Sequence, residues 1–149
     1  MELKILPLSP KLGHEIPLPA FATPGSAAMD LCACIDEPIT LAPHERRLIP
    51  NGFAIALPGP EYVALVFARS GLASKKGIAM ANCVGVIDSD YRGPLMSAII
   101  NQSDEPYTIE PGDRIAQLMI VPVVQPTLTV ADTLDETARG AGGFGSTGR

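Results

Sequence analysis

Several segments of the sequence place charged side chains beside glycine or serine, where a turn can expose them. Arg69 and Ser70 open one of these segments, ARSGLASKKGI, residues 68–78. An arginine and the free backbone N–H groups at the start of a short helix would attract an anion such as phosphate. The alternative is an ordinary surface turn in which the Ser70 side chain caps the helix.

The segment NCVGVIDSDYRG, residues 82–93, places Asp88 directly after an apolar strand. A carboxylate at the point where burial gives way to solvent can accept a proton from water, as a general base does. Asp and Ser also favour turns, so a plain hairpin with a solvated Asp90 explains the same residues. The pattern alone leaves both interpretations open.

Two further segments hold polar groups among apolar ones. Asp30 lies in GSAAMDLCA, residues 25–33, so its carboxylate must be exposed, ion-paired or near a metal. A magnesium ion that arrives with a triphosphate needs few protein carboxylates.

In PGDRIAQLMI, residues 111–120, the polar side chains are Arg114 and Gln117. A regular strand would place these two on opposite faces, so at most one would face a given pocket directly.

The segment RGAGGFGSTGR, residues 139–149, combines glycines with Arg139 and Phe144. Glycine backbones can turn successive N–H groups toward phosphate oxygens, and an aromatic ring gives a base a surface to stack on. The same composition is typical of a disordered tail. It is not a Walker loop, because GxxxxGK[ST] is absent.

Composition limits the class of protein and its partners. A chain of 149 residues is the size of one domain. The net charge of −5 argues against a broad nucleic-acid-binding surface, so an anion pocket would need a local cluster of the 11 Lys and Arg residues. No apolar run reaches the roughly 18 residues of a membrane helix, and no secretion signal is visible. We therefore expect a soluble, cytoplasmic protein whose three cysteines are buried free thiols.

Fifteen prolines and 14 glycines divide the chain into short segments, which predicts an all-β fold. The candidate strands are GFAIALP, YVALVFA, LMSAIIN and RIAQLMIVPVV. A single short helix is predicted in SGLASKKGI, ending at Gly77. Closely spaced strands favour a barrel, sandwich or jelly roll. We expect one domain, residues 1–149, with a body to about residue 130, an acidic connector at about 131–138 and a C-terminal lid at 139–149.

Five motifs, in order, resemble those of the trimeric dUTPases: AAMDL, RSGLASKKGI, NCVGVIDSDYRG, PGDRIAQLMI and RGAGGFGSTGR. The resemblance implies a distorted jelly-roll-like (β-clip) barrel with a flexible glycine-rich arm, assembled as a homotrimer with active sites shared between subunits. It implies hydrolysis of dUTP to dUMP and pyrophosphate with Mg²⁺ as cofactor. Such an enzyme limits uracil incorporation into DNA and supplies dUMP for thymidylate synthesis. The implied partners are dUTP and further copies of the chain, with no nucleic acid and no membrane.

The resemblance also implies residue roles. Asp88 matches the carboxylate that activates water for attack on the α-phosphorus, and Asp30 matches an acid that helps to place triphosphate-bound Mg²⁺ through water. Tyr91 matches the ring against the deoxyribose, and Phe144 the ring over uracil. The implied substrate-binding positions are Arg69, Ser70, Gly71, Asn82, Gly85, Val86, Ile87, Asp88, Tyr91, Met96, Gln117, Arg139, Phe144, Gly145, Ser146 and Thr147.

Two alternatives and one departure accompany this interpretation. A dCTP deaminase would resemble the same motifs but needs a glutamate where this chain has Ala98, and a deaminase-like HPGW is replaced by SDYR. A nucleotide-sensing module could use a tail that becomes ordered on binding, but it would not need Asp88 as a base. Ala28 stands where many relatives carry glycine, which affects the expected backbone near Asp30.

Overall fold

The computed structural model describes residues 1–143, which form short strands and one helix. The strands are β1 Lys4–Pro7, β2 Ala20–Phe21, β3 Met29–Cys32, β4 Ile39–Leu41, β5 Arg46–Pro50, β6 Phe53–Ala56, β7 Tyr62–Ala68, β8 Ile78–Met80, β9 Gly85–Ile87, β10 Met96–Asn101, β11 Tyr107–Ile109 and β12 Arg114–Pro122. The helix, α1, spans Ser70–Lys76 between β7 and β8. The predicted all-β class with one short helix is confirmed.

The strands form four small sheets that share one core. A five-stranded sheet has the order β2-β3-β12-β7-β9, a three-stranded sheet has the order β5-β10-β8, and β1-β6 and β4-β11 form pairs. All of these strand pairings are antiparallel, as expected for a chain without long crossover helices. Each sheet contributes to one apolar cluster, whose members include Leu31, Leu41, Ile49, Phe53, Ile99 and Leu118.

Helix α1 begins one residue earlier than a Ser70 cap would allow. The backbone stays extended through Arg69, which is the N-cap with φ −82° and ψ 127° and makes no side-chain capping hydrogen bond. The Ser70 cap of the alternative interpretation is therefore wrong, and Ser70 is the first helical residue. The predicted end is confirmed, because Gly77 adopts the left-handed conformation with φ 68° and donates its N–H to the Ala73 carbonyl.

The three cysteines differ from expectation in one respect. All three are free, and Cys32 and Cys34 are buried, as predicted. Cys83 is exposed, so the prediction of burial is wrong for this residue. The reason is local: Cys83 lies in the turn between β8 and β9 and has a φ of 62°, outside any strand.

The regular structure ends before the expected limit of the body. Strand β12 ends at Pro122, and residues 123–143 contain neither strand nor helix. Several apolar side chains in this segment are between 84% and 99% exposed, namely Val124, Leu128, Val130 and Leu134. Within residues 1–143, no helix combines the length and apolar character needed to cross a membrane.

Candidate active site

A groove of about 850 Å³ lies beside α1, against the central strands of the five-stranded sheet. Five of the residues singled out in the sequence line it together: Asp30, Arg69, Ser70, Gly71 and Gln117. Strand β3 supplies the acid, the end of β7 leads into the arginine, and β12 supplies the amide. We call this cavity the groove.

Asp30 is the centre of an ion-paired cluster that joins β3 to the residue after β7 and to the start of β12. One carboxylate oxygen, Oδ1, accepts a hydrogen bond from Arg69 Nε at 2.9 Å, and Oδ2 accepts one from Arg114 Nη1 at 3.2 Å. The Asp30 side chain is only 20% exposed. Of the three environments predicted for this carboxylate, the structure shows the ion-paired one.

A β-bulge explains why Arg114 and Gln117 both neighbour Asp30. Arg114 pairs with Cys32, Ala116 with Leu31 and Gln117 with Asp30, so β12 carries one extra residue, Ile115, opposite β3. The prediction of opposite faces assumed a regular strand, and it is wrong because the bulge resets the alternation. The expectation that at most one of the two side chains faces a given pocket is confirmed, since Gln117 lines the groove and Arg114 lines a neighbouring cavity that also includes Asp30.

Backbone carbonyls hold the remaining polar groups of the cluster in place. Arg69 Nη1 donates to the Arg114 carbonyl at 3.3 Å, and Gln117 Nε2 donates to the Ala68 carbonyl at 2.9 Å. The guanidinium is thereby fixed by a carboxylate and a carbonyl. Arg114 was noted in the sequence as a polar group but not assigned a role, because its contact with Asp30 depends on a bulge that periodicity does not show.

The groove concentrates positive charge in a protein of negative net charge. Arg69, Lys75 and Lys76 line it, against Asp30 as its one carboxylate among the described residues. The local cationic cluster that an anion pocket requires is therefore present. The helix has seven residues, so we assign the attraction for anions to these side chains rather than to the helix end.

A second, smaller cavity of about 240 Å³, which we call the slot, lies between β7, β9 and the start of β10. It is lined by Val66, Asn82, Gly85, Val86, Ile87, Asp88, Tyr91, Pro94, Leu95 and Met96. Its walls are mainly apolar side chains and hairpin backbone, a lining typical of small-molecule sites. Seven of the implied substrate-binding positions lie here together, namely Asn82, Gly85, Val86, Ile87, Asp88, Tyr91 and Met96.

Tyr91 is held over Gly93 at one side of the slot. Its hydroxyl group donates to the Pro94 carbonyl at 3.1 Å. A Cβ atom at residue 93 would overlap the Tyr91 ring, so only glycine permits this close approach. Gly93 was not among the implied substrate-binding positions, although the motif DYRG places a glycine two residues after the tyrosine.

Asp88 is exposed and follows β9 directly. The predicted change from burial to solvent at this point is not seen, because no residue of β9 is buried and Val86 is 65% exposed. Its carboxylate forms no ion pair and no hydrogen bond with another side chain of residues 1–143. It also lines a neighbouring cavity of about 610 Å³, so it lies at the junction between the slot and this second cavity. A carboxylate so placed can bind a water molecule and accept its proton.

The groove and the slot share no lining residue among those described. Val66 lines the slot and its neighbour Phe67 lines the groove. Since successive side chains of a strand point to opposite faces, β7 separates the two cavities.

Arg139 lies in neither cavity, and its Nε donates to the Gly142 carbonyl at 2.8 Å. The other predicted arm residues, Phe144, Gly145, Ser146 and Thr147, lie outside the described part of the chain.

The side chains available as metal ligands decide how the expected magnesium ion could be bound. Residues 1–143 contain no cluster of three His, Cys, Asp or Glu side chains. Asp30 offers one carboxylate whose two oxygens already accept hydrogen bonds from arginines. These residues fit an ion that is carried by a triphosphate and meets Asp30 through water, and they do not fit an ion held by the protein alone.

Comparison with known proteins agrees with this geometry. A family model described as dUTPase matches residues 14–148. The chain is 53% identical over 148 residues to the deoxyuridine 5'-triphosphate nucleotidohydrolase of Shewanella oneidensis, covering 99% of this chain and 96% of the relative. It is 55% identical over 141 residues to that of Hahella chejuensis, covering 95% and 93%.

Solved structures show the same fold. A mutant of the Staphylococcus bacteriophage 80alpha dUTPase with dUpNHpp aligns with a TM-score of 0.87 and 28% identity, covering 99% of each chain. A mutant dUTPase from phage phi11 of S. aureus, described with a structural Mg(II) ion, aligns with a TM-score of 0.79 and 25% identity, covering 91% of this chain and 100% of that one.

Fold and sequence similarity together define an all-β hydrolase that acts on a nucleotide. The chain belongs to the dUTPase family. Its activity is that of a dUTP diphosphatase, which confirms the resemblance seen in the motifs.

Proposed function

We propose that this chain hydrolyses dUTP by attack of an Asp88-activated water on the α-phosphorus. The observation that carries the proposal is the exposed Asp88 carboxylate, unpaired among residues 1–143, at the rim of a slot of about 240 Å³. A base catalyst must reach water and remain free to take its proton. Attack at the α-phosphorus breaks its bond to the bridging oxygen and releases pyrophosphate and dUMP.

The slot would hold the deoxyuridine part of the substrate. Backbone groups of Gly85 to Ile87 and the Asn82 side chain can pair with the polar edge of uracil. A narrow hairpin would exclude the methyl group of thymine and would leave the reversed donor and acceptor pattern of cytosine unpaired. Tyr91, fixed by its bond to Pro94, would lie against the sugar, where a 2′-hydroxyl group would be crowded.

The groove would hold the phosphates. Arg69 has a guanidinium aligned by Asp30 and the Arg114 carbonyl, and Ser70, Gly71 and Gln117 line the same cavity. Mg²⁺ bound to the triphosphate would supply neutralisation of phosphate charge during the reaction. Asp30 is the residue that would contact the hydration shell of that ion.

The separation of the two cavities supports a homotrimer with shared sites. Because β7 lies between the slot and the groove, one nucleotide cannot use both cavities of the same chain directly. A slot of one subunit facing the groove of another would form a complete site. Residues 139–149 would close over it as a lid, with Phe144 on the base and Arg139, Gly145, Ser146 and Thr147 at the phosphates. We further propose a cytoplasmic enzyme that supplies dUMP and keeps uracil out of DNA.

Hydrolysis in ¹⁸O-labelled water tests the reaction centre. Attack at the α-phosphorus places the label in dUMP and leaves pyrophosphate unlabelled, as mass spectrometry of the two products would show. Label in pyrophosphate would contradict the proposal. Incubation with dCTP in parallel is expected to release neither pyrophosphate nor ammonia.

Mixed oligomers test the shared site. Asp88→Asn subunits keep the groove and Arg69→Gln subunits keep the slot, so each variant alone lacks one half of every site. Coexpression of both variants should rebuild complete sites and give more activity than either variant alone. Activity of the mixture equal to the average of the two would show that each chain forms its own site. Sedimentation of the purified protein checks that three copies assemble.

A further inference from the structure

The groove continues beyond Arg69 and Gln117 to the C-terminal end of α1. Lys75 and Lys76, in the last turn of the helix, line this part of it, and Tyr107 on β11 lines the same groove. Neither lysine forms an ion pair with a carboxylate of residues 1–143, in contrast to Arg69 and Arg114, which both bind Asp30. Two positive charges are therefore available to an incoming anion.

Helix geometry directs these lysines toward the segment assigned to phosphate. Gly71, Leu72, Lys75 and Lys76 form the helix face that lines the groove. In an α-helix each Cα–Cβ bond tilts toward the N-terminus, so both lysine stems lean back toward Gly71. The four-residue step from Gly71 to Lys75 spans about 6 Å, which brings an ammonium group over the phosphate-binding segment.

Tyr107 lines the groove from a different sheet. Its ring packs partly against the core, which fixes its position. Burial raises the pKa of Tyr107, and the charge of Asp113 raises it further, so the phenol stays protonated at neutral pH. A protonated hydroxyl group can donate a hydrogen bond to a phosphate oxygen.

We propose that Lys75, Lys76 and Tyr107 form an outer anion subsite that binds the terminal phosphate of the substrate and selects triphosphates over shorter nucleotides. The inference rests on the proposed function, because it assumes that the groove holds the triphosphate. Arg69 and Gln117 are assigned to the phosphates nearer the reacting centre, and a chain of three phosphates continues along α1 toward the lysines. The terminal phosphate carries the most negative charge and gains most from two cations.

Lysines in the last turn of a helix also interact favourably with the helix dipole. That role would affect thermal stability and would not depend on how many phosphates a ligand carries. Comparing ligands that differ in phosphate number therefore separates the two roles.

The test uses Lys75→Gln/Lys76→Gln, with Lys4→Gln/Arg46→Gln as a control that removes the same charge from β1 and β5. Calorimetry would compare dUpNHpp, dUDP and dUMP. We expect the lysine variant to bind dUpNHpp about tenfold more weakly, with dUMP changed less than about twofold and the control close to the parent protein. Tyr107→Phe should weaken dUpNHpp binding by about threefold. KM for dUTP should rise by a similar factor in each variant, with a smaller change in kcat.

Several results would overturn the subsite. An equal loss for dUMP and dUpNHpp would show a general attraction rather than a terminal-phosphate contact. Unchanged binding of all three nucleotides would show that the lysines do not meet the substrate, whatever happens to the melting temperature. If Arg69→Gln weakens dUpNHpp binding and the lysine variant does not, the subsite alone fails. If neither variant weakens it, the assignment of the groove to phosphates fails too.

Discussion

The groove and the slot are organised in opposite ways. In the groove, Arg69 is paired with Asp30, which also binds Arg114 of the neighbouring cavity, so the Arg69 guanidinium is oriented before any ligand arrives. In the slot, backbone and apolar side chains make the walls, and the charged group, Asp88, has no partner among residues 1–143. Around Asp30 the groove thus holds charge in a fixed geometry, and the slot leaves one carboxylate free to react.

This difference separates binding from chemistry. Preorganised cations contribute to affinity, because their orientation does not have to be created when the ligand binds. A carboxylate that were itself ion-paired would be a poorer base, since its charge would already be stabilised. Substitutions in the two cavities should therefore affect different kinetic constants.

The largest effect is expected for Asp88→Asn. The amide keeps the size of the side chain but cannot take a proton, so kcat should fall by about 10² to 10⁴-fold. Binding of dUpNHpp, measured by calorimetry, should change little. Asp90→Asn, an exposed neighbour in the same turn, is the matched control and should retain turnover. Normal turnover by Asp88→Asn would remove the distinction drawn between the cavities.

Arg69→Gln should weaken the binding of phosphate in the groove and leave the binding of deoxyuridine in the slot unchanged. Loss of a charge-assisted contact with phosphate should lower dUpNHpp affinity by about 10 to 100-fold, while deoxyuridine, which has no phosphate, should bind as before. Arg47→Gln is the control, because Arg47 is ion-paired with Glu45 at 2.8 Å on the surface. A comparable loss of deoxyuridine binding would show that the two cavities are not independent.

Gly93→Ala should weaken the binding of deoxyuridine in the slot and leave anion binding in the groove unchanged. The added methyl group overlaps the Tyr91 ring and would displace it, which should weaken deoxyuridine binding by about tenfold. Calorimetry would measure deoxyuridine binding and inorganic pyrophosphate binding, and the affinity for pyrophosphate should stay unchanged. At Gly25 a Cβ atom meets nothing within 4 Å, so Gly25→Ala controls for the substitution itself. Unaltered deoxyuridine affinity in Gly93→Ala would mean that the ring position is unimportant.

The smallest effect expected is a difference in labelling rate between two thiols, one close in sequence to a groove residue and one close to a slot residue. Cys32 lies on β3 near the groove, and burial, followed by the charge of Asp30, raises the pKa of its thiol. A raised pKa leaves less thiolate at neutral pH, so Cys32 should react slowly with iodoacetamide and faster only at higher pH. Cys83, exposed beside the slot, should be labelled first. Peptide mass spectrometry after timed labelling would show the order, and faster labelling of Cys32 would contradict it.

Much of the fold follows from the sequence, because alternation and turn residues act locally. Strand β10 alternates between more exposed and buried side chains, and Gly77 ends the helix, both as predicted. The bulge in β12 could not be predicted, since Ile115 and Ala116 are both apolar and both buried. Periodicity does not reveal where an extra residue enters a strand, because only pairing with β3 defines it.

The candidate site was predictable for a different reason. Local patterns left Asp30, Arg69 and Asp88 open to ordinary structural explanations, and the order of five motifs indicated their roles. What no motif indicated is how the residues divide between two cavities. That division depends on which strands pair with β7, and strand pairing is a property of the folded chain.

Strand β7 has a consequence for sequence variation among relatives. Val66 pairs with Gly85 across the slot side, and Phe67 pairs with Gln117 across the groove side. Two adjacent residues of β7 therefore line different binding sites: Val66 lines the slot proposed for the base, and Phe67 lines the groove proposed for the phosphates. In a large alignment of homologues, covariation is therefore expected between 66 and 85 and between 67 and 117, but not between the chain neighbours 66 and 67.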